Sequence, residues 1–252
     1  MSGFSWRDTS LFTLQAFALL GVLVRIRVSG LNRVYPYFFS YLLIQTVQLA
    51  VPLIQRGTDL YAYFYFVTEA LIVCFYALVV LELYAVVLRE MTGIATTARR
   101  YIRWSLVISI TAALLLLELQ RKPITFLGAF FTFERTIVSS LLIFVALITA
   151  FLLYYPIPLH RNVIYYTIGY SVYFGCRAVA LFLANSGSKW AETANLAGFF
   201  GSLMCLLFWI VCLRRDGETR TMIMGHQWNG GDRERVMAQL KAINATLSRV
   251  RR

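Results

Sequence analysis

Seven long apolar runs, each followed by a short polar break, limit the folds open to this chain. The runs cover residues 11–24, 37–54, 61–88, 101–119, 126–155, 163–183 and 194–213. A bilayer core offers no water to backbone N–H and C=O groups, so apolar runs of this kind must be helical there. Because a helix rises about 1.5 Å per residue, about 20 residues cross a core ~30 Å thick. The pattern predicts an all-α polytopic membrane protein, a bundle of seven transmembrane helices.

The first run is short, but residues 4–10 extend it on one side, and Ile26 extends it on the other if Arg25 snorkels.

Composition supports the membrane class, because hydrophobic residues make up 59% of the chain and charged residues only 14%. Soluble domains carry about 25% charged residues. Residues 1–213 are therefore predicted to form the membrane domain, 214–231 a flexible cytoplasmic linker, and 232–252 a basic amphipathic helical tail.

The distribution of basic residues predicts the orientation. If the N-terminus lies outside and the C-terminus inside, 17 of the 24 Lys and Arg residues fall in inner loops or the tail, against five outside. The positive-inside rule favours this orientation in a cell membrane. Because the positive charge is spread over loops on one side, it favours contact with the lipid bilayer and its anionic lipids, and no nucleic acid partner is expected.

The tail contains an apolar seam with spacings of 4, 3, 4 and 3. The seam consists of Val236, Leu240, Ile243, Leu247 and Val250. Such spacing fits two heptads, which would allow a homodimer or a protein partner to bind through residues 232–252. The flanking charges are nearly all positive, which favours a helix lying on anionic lipid. Both interpretations remain open.

Polar side chains from five of the runs fall at similar depths near the outer side. Counting about 1.5 Å per residue from the run ends places them roughly 9–13 Å inward, apart from Asn195, which opens the seventh run. This polar layer consists of Gln45, Gln48, Glu69, Glu134, Arg135, Arg177 and Asn195. Ionisable groups inside a membrane are costly and are candidates for function.

Two helical faces connect this layer to tyrosines. Tyr166, Tyr170, Tyr173 and Arg177 are spaced 4, 3 and 4, and Tyr65, Glu69 and Tyr76 share a face in the same way. If the faces meet, Glu69 pairs with Arg177 inside an aromatic-lined, outward-facing pocket. The ligand-binding candidates are Glu69, Arg177, Glu134, Arg135, Gln45, Gln48, Tyr65, Tyr170, Tyr173 and Asn195. The alternative is a sealed salt-bridge network, since Glu69, Glu134, Arg135 and Arg177 sum to zero charge.

Glu82 lies deeper toward the inner side, on a different face from Glu69. It is a candidate for a proton relay. The alternative is a carboxyl group that is hydrogen-bonded to a tyrosine or to the backbone.

An enzyme is the least supported class. The only histidines are His160 and His226, in an inner loop and the tail, so no base lies near Ser139 or Ser140. The four cysteines lie inside apolar runs without metal-type spacing. No catalytic residue, metal site or cofactor is predicted.

Three segments carry a resemblance. They are Tyr35-Pro36-Tyr37-Phe38-Phe39-Ser40-Tyr41-Leu42, then Tyr63-x-Tyr65-x-x-x-Glu69-Ala70-Leu71, then Leu81-Glu82-Leu83-Tyr84. The pattern resembles uncharacterised bacterial seven-helix membrane proteins and, more loosely, the seven-helix sensor regions of bacterial histidine kinases. The resemblance implies a sensor in the inner membrane of a bacterial cell and supplies no catalytic residues.

Three hypotheses for function follow. The first is a ligand sensor or signalling module with an outward-facing polar pocket and no output domain of its own. The second is a small secondary transporter with Glu69, Glu82 and Glu134 as coupling carboxylates. The third is a structural subunit of a membrane complex.

Overall fold

Helices dominate the structure. The computed structural model describes residues 6–49, 59–87, 126–154, 158–185, 191–223 and 230–249, together with Trp104, Ile108 and Thr111. The helices are α1 (Trp6–Val28), α2 (Pro36–Gln48), α3 (Asp59–Val87), α4 (Phe126–Tyr154), α5 (Arg161–Asn185), α6 (Ala191–Cys212) and α7 (Gly230–Arg249). The predicted all-α class is confirmed at this level.

Six of the seven predicted apolar runs correspond to helices α1 to α6. The fourth run, 101–119, lies outside the described residues except for Trp104, Ile108 and Thr111, which are helical. α1 is longer than its apolar run and continues through Arg25 and Arg27 to Val28, as the snorkelling argument predicts.

Four of these helices contain a segment long and apolar enough to cross a membrane. The segments are Ser10–Val28, Tyr63–Val87, Thr132–Tyr154 and Glu192–Cys212, in α1, α3, α4 and α6. α5 has 25 residues, which is long enough to cross a membrane, but four tyrosines, Asn162 and Arg177 make it less apolar. The described part of α2 has 13 residues, about 20 Å of helix.

α5 is the central helix among those described, because it packs against α3, α4 and α6. α1 packs on α2 and α6, and α2 packs on α3. The core where α2, α5 and α6 meet is aromatic, with Phe38, Tyr166, Tyr170, Phe174 and Trp209 all at most 1% exposed. The Phe38 ring lies 4.9 Å from the Trp209 ring and 5.0 Å from that of Tyr166.

Two glycines allow α5 and α6 to approach closely. A Cβ at Gly169 would collide with the Trp209 ring, and a Cβ at Gly201 would lie 2.6 Å from the Cys176 Cβ. Small residues recur four apart in α6, as Ala197 with Gly201 and Gly198 with Ser202, a pattern typical of close helix packing.

Two short strands mark one end of the bundle, which we call the β end. β1 (Pro158–His160) precedes α5, and β2 (Thr221–Ile223) follows α6. They pair antiparallel, with Leu159 opposite Met222. The predicted flexible linker 214–231 therefore needs correction over its first ten residues, which form a 3-10 turn (Arg215–Glu218) and β2.

A buried asparagine holds this turn against the bundle. Asn162, fully buried, donates from Nδ2 to the Arg214 carbonyl (2.7 Å) and to Glu218 Oε1 (2.7 Å). Tyr35 also donates its hydroxyl to Glu218 Oε1 (3.0 Å). Burial and the adjacent Glu218 carboxylate raise the pKa of the Tyr35 hydroxyl, so it remains a donor. These bonds give the segment after α6 a fixed conformation.

α7 is a helix where the amphipathic tail was predicted. Leu240 in the seam is 3% exposed and belongs to the hydrophobic core, whereas Ile243 is 51% exposed. The two residues therefore have different environments, and the choice between lipid contact and a protein partner stays a prediction.

Candidate functional site: a buried ion cluster beside a polar cavity

Arg177 of α5 lies between two carboxyl groups from two other helices. Its Nη2 is 3.0 Å from Glu69 Oε1 of α3 and 2.5 Å from Glu134 Oε1 of α4. Its Nε also donates to Glu134 Oε1, at 2.9 Å. Glu69 is 4% exposed and Glu134 is 0% exposed. The predicted pairing of Glu69 with Arg177 is confirmed, and Glu134 is a second, more deeply buried partner.

Gln48 of α2 completes what we call the Arg177 cluster: Gln48, Glu69, Glu134 and Arg177. Its side-chain amide donates to Glu69 Oε2, so both carboxyl oxygens of Glu69 have a partner. Glu134 differs, because its Oε2 is buried without a hydrogen bond from any described residue. The cluster therefore joins four helices and contains one carboxyl oxygen that can accept a further hydrogen bond.

Arg135 does not contribute to this cluster. Consecutive residues on a helix point about 100° apart, so Arg135 and its neighbour Glu134 face different surroundings. Among the described residues, the ion pairs of the cluster are those of Arg177 with Glu69 and Glu134. The predicted neutral set of four charges is corrected to two carboxyl groups that share one guanidinium. The charges of such a set sum to zero when one carboxyl group holds a proton or a second cation is present.

A set of hydroxyl groups lies next to the Arg177 cluster. Tyr173, one turn before Arg177 on α5, has its hydroxyl 2.9 Å from that of Tyr76 and accepts a hydrogen bond from Tyr41 at 2.7 Å. The Gln45 amide approaches the same hydroxyl at 3.4 Å. All three tyrosines are buried. These hydrogen bonds link α2, α3 and α5 at the level of Tyr173.

A cavity of about 290 Å³ opens beside both groups. It is bounded by residues of α1, α2, α3, α5 and α6. Its lining consists of Gln15, Gln45, Gln48, Tyr65, Glu69, Ile72, Tyr76, Tyr173, Cys176, Arg177, Gly198, Phe199 and Ser202. The side chain of Arg177 keeps 32% of its surface exposed, although it lies deep in the helix bundle.

The cavity brings together six of the predicted ligand-binding candidates. They are Gln45, Gln48, Tyr65, Glu69, Tyr173 and Arg177. Glu134 lies behind Arg177 as its ion-pair partner. Tyr170 is part of the aromatic core, 5.0 Å from the Trp209 ring, and does not line this cavity. Asn195 is exposed on α6 and is likewise not part of the lining.

Seven lining residues were not among the predicted candidates, and four of them are informative. Gln15 is a glutamine within an otherwise apolar run, a signal that was available in the sequence. Cys176 and Ser202 lie where α5 and α6 approach closely, and small residues there leave space beside Arg177. Tyr76 shared the predicted face with Glu69 but was not included in the candidate set.

Glu82 forms a separate site near the β end. Its carboxylate accepts the backbone N–H groups of Tyr37 (2.9 Å) and Phe38 (3.1 Å), and the hydroxyl of Tyr166 (3.1 Å). The first N–H groups of a helix lack partners within the helix, and a negative charge there also favours the helix dipole. Glu82, a residue of α3, thus caps the N-terminus of α2. This matches the second of the two predicted alternatives, a carboxyl group that is hydrogen-bonded to a tyrosine and to the backbone.

Comparisons of the chain with protein-family models, with curated proteins and with solved structures found no match. Within the described residues, no group of three or more His, Cys, Asp or Glu side chains is placed to hold a metal ion. The geometry of the cavity and of the ion cluster is therefore the basis for the proposals that follow.

Proposed function

We propose that this protein is a membrane-embedded sensor that binds a small polar molecule in the Arg177 cavity. The proposal places seven helices across the membrane, with the N-terminus and the cavity toward the outside and the β end toward the cytoplasm. The distribution of basic residues supports this orientation. The resemblance to sensor regions of bacterial histidine kinases supports the function. The signal would pass through the tail, including α7, to a partner.

The observation that carries the proposal is the partial exposure of Arg177. Ion pairs are stronger where water is excluded, so the pairing of Arg177 with Glu69 and Glu134 does not itself require a cavity beside the guanidinium. Arg177 instead keeps 32% of its side-chain surface exposed beside the cavity. Its Nε and Nη2 bind carboxyl groups, while Nη1 makes no hydrogen bond with the residues that the structure describes. An acceptor group on a ligand would supply the missing hydrogen-bond partner of Nη1.

The size and lining of the cavity define the class of ligand. A volume of about 290 Å³ lies just below the usual range for ligand pockets, roughly 300–1,000 Å³. Gln45 and Gln48 offer amide donors and acceptors, and Phe199 and Ile72 offer an apolar wall. This combination suits a small molecule with a carboxylate or another strong acceptor and a short apolar part.

A thermal-shift screen with small carboxylic acids, amino acids and sugar acids tests this function. We expect a ligand to raise the Tm of the purified protein and to bind Gln45→Leu about tenfold more weakly, as the loss of one hydrogen bond to a charged group predicts. Asn195→Leu, an exposed position outside the cavity, is the matched control and should bind normally. Equal affinity for the wild type and Gln45→Leu would place the ligand elsewhere.

A secondary transporter is the second candidate function, and the unpaired Oε2 of Glu134 favours it. Two carboxyl groups that share one guanidinium can bind and release a proton, as coupling carboxylates do. Glu82, the third carboxylate of this hypothesis, is occupied with capping α2. Proton-coupled uptake into liposomes that is abolished by Glu69→Gln would favour the transporter over the sensor.

A further inference from the structure

A second cavity lies at the β end, where α5 begins and α6 ends. Its volume is about 250 Å³, and three arginines line it: Arg161, Arg214 and Arg220. Asp216 is the one acidic residue of its lining. Three arginines and one aspartate give the lining a net charge of about +2. Among the described residues, none of the three arginines forms an ion pair within 4.0 Å.

The backbone holds these like charges together. The Arg161 N–H donates to the Arg220 carbonyl at 3.0 Å, which continues the pairing of β1 with β2. Arg214 is fixed by its backbone bonds to the Asn162 side chain. Like charges repel, so an anion between them would stabilise the arrangement. Arg161 is already oriented, because its Nε donates to the Tyr165 hydroxyl at 2.8 Å.

An apolar stripe on the surface of α6 ends at the same cavity. Phe200, Met204, Leu207 and Val211 are spaced 4, 3 and 4, and each is between 45% and 65% exposed. Spacing of this kind places them on one face of the helix. α6 is one of the helices that is apolar enough to cross a membrane, and in the membrane placement proposed above this stripe faces lipid. Val211 belongs both to the stripe and to the lining of the cavity.

We propose that this cavity binds the phosphate group of an anionic phospholipid, with an acyl chain lying along the α6 stripe. Arginine is suited to phosphate because its planar guanidinium presents several donors in a fixed geometry. A free phosphate ion would satisfy the arginines but would leave the adjoining apolar stripe unexplained, which favours a lipid. The proposal rests on the membrane placement proposed above, but it does not depend on a ligand in the Arg177 cavity.

The test uses the full-length protein in a neutral detergent, with phosphatidylglycerol, phosphatidylcholine or inorganic phosphate added. We expect phosphatidylglycerol to raise the Tm of the wild type and the other two additives to have little effect. Arg161→Gln/Arg220→Gln should bind phosphatidylglycerol at least tenfold more weakly, as the loss of one charge-assisted hydrogen bond predicts. The matched control, Arg27→Gln/Arg33→Gln, removes the same charge from exposed positions outside this cavity and should bind normally.

Three outcomes would overturn the proposal. Equal losses in the two double variants would show attraction to general surface charge. Equal stabilisation by inorganic phosphate would identify a free anion as the ligand, and equal stabilisation by phosphatidylcholine would remove the role of the arginines. If the double variant does not fold, Arg220→Gln alone serves instead, because its exposed side chain makes no hydrogen bond with the described residues. A normal response of this variant to small ligands of the Arg177 cavity separates the two proposals.

Discussion

Arg177→Met is expected to destabilise the protein more than any other single change in the cavity. The substitution leaves Glu69 and Glu134 facing each other with no cation between them, and removal of one partner from a buried ion pair costs about 3–5 kcal/mol. Glu69→Gln should cost less, because Arg177 keeps its two hydrogen bonds to Glu134. Thermal unfolding in detergent, followed by circular dichroism, measures both losses.

The triple variant Glu69→Gln/Glu134→Gln/Arg177→Met provides the control for charge. It removes all three charges of the cluster together, so we expect it to recover a large part of the stability lost by Arg177→Met. Residues in contact show non-additive effects, whereas independent residues add. If the stability losses of the single variants simply add up in the triple variant, the three side chains do not interact.

Glu82→Leu is expected to have an effect of comparable size, through the start of α2. It leaves the N–H groups of Tyr37 and Phe38 and the hydroxyl of Tyr166 without their acceptor. Each buried polar group that loses its partner costs about 1–3 kcal/mol. Glu82→Gln keeps one oxygen acceptor and should lose less stability than Glu82→Leu, as measured by thermal unfolding.

Glu192→Gln is the matched control for Glu82. Glu192 likewise places a carboxylate at the N-terminus of a helix, in the first turn of α6, but it is exposed. Its substitution should change the unfolding temperature little. A proton-relay role without a structural role predicts the reverse for Glu82, with stability preserved in Glu82→Gln and proton movement lost.

The helices could be predicted because length and polarity are local properties of the chain. Each apolar run of the described part is a helix, and the break at Pro36 is the start of α2. The pairing of Glu69 with Arg177 could also be predicted, since both share a face with tyrosines at similar depth. Glu134 was placed at the right depth, but its dominant role depends on which way α4 is rotated, and a long apolar helix contains little information on rotation.

Features that depend on distant parts of the chain could not be predicted in the same way. Glu82 and the N–H group of Phe38 are 44 residues apart in sequence. The turn after α6 was predicted to be a flexible linker, because its glycines and charges are typical of one. Its structure comes from Asn162, 52 residues before Arg214, and from strands of only three residues, which are too short to show a periodic pattern.

The accessibility of Cys176 from outside tests the central claim most directly. Cys176 lines the Arg177 cavity, whereas Cys205 is 3% exposed in the core. A variant with Cys176 as its only cysteine should react with a membrane-impermeant maleimide added outside intact right-side-out vesicles, and a variant with only Cys205 should not. Labelling of Cys176 only from the inside would contradict the proposed orientation, and labelling only after detergent is added would show that the cavity is sealed.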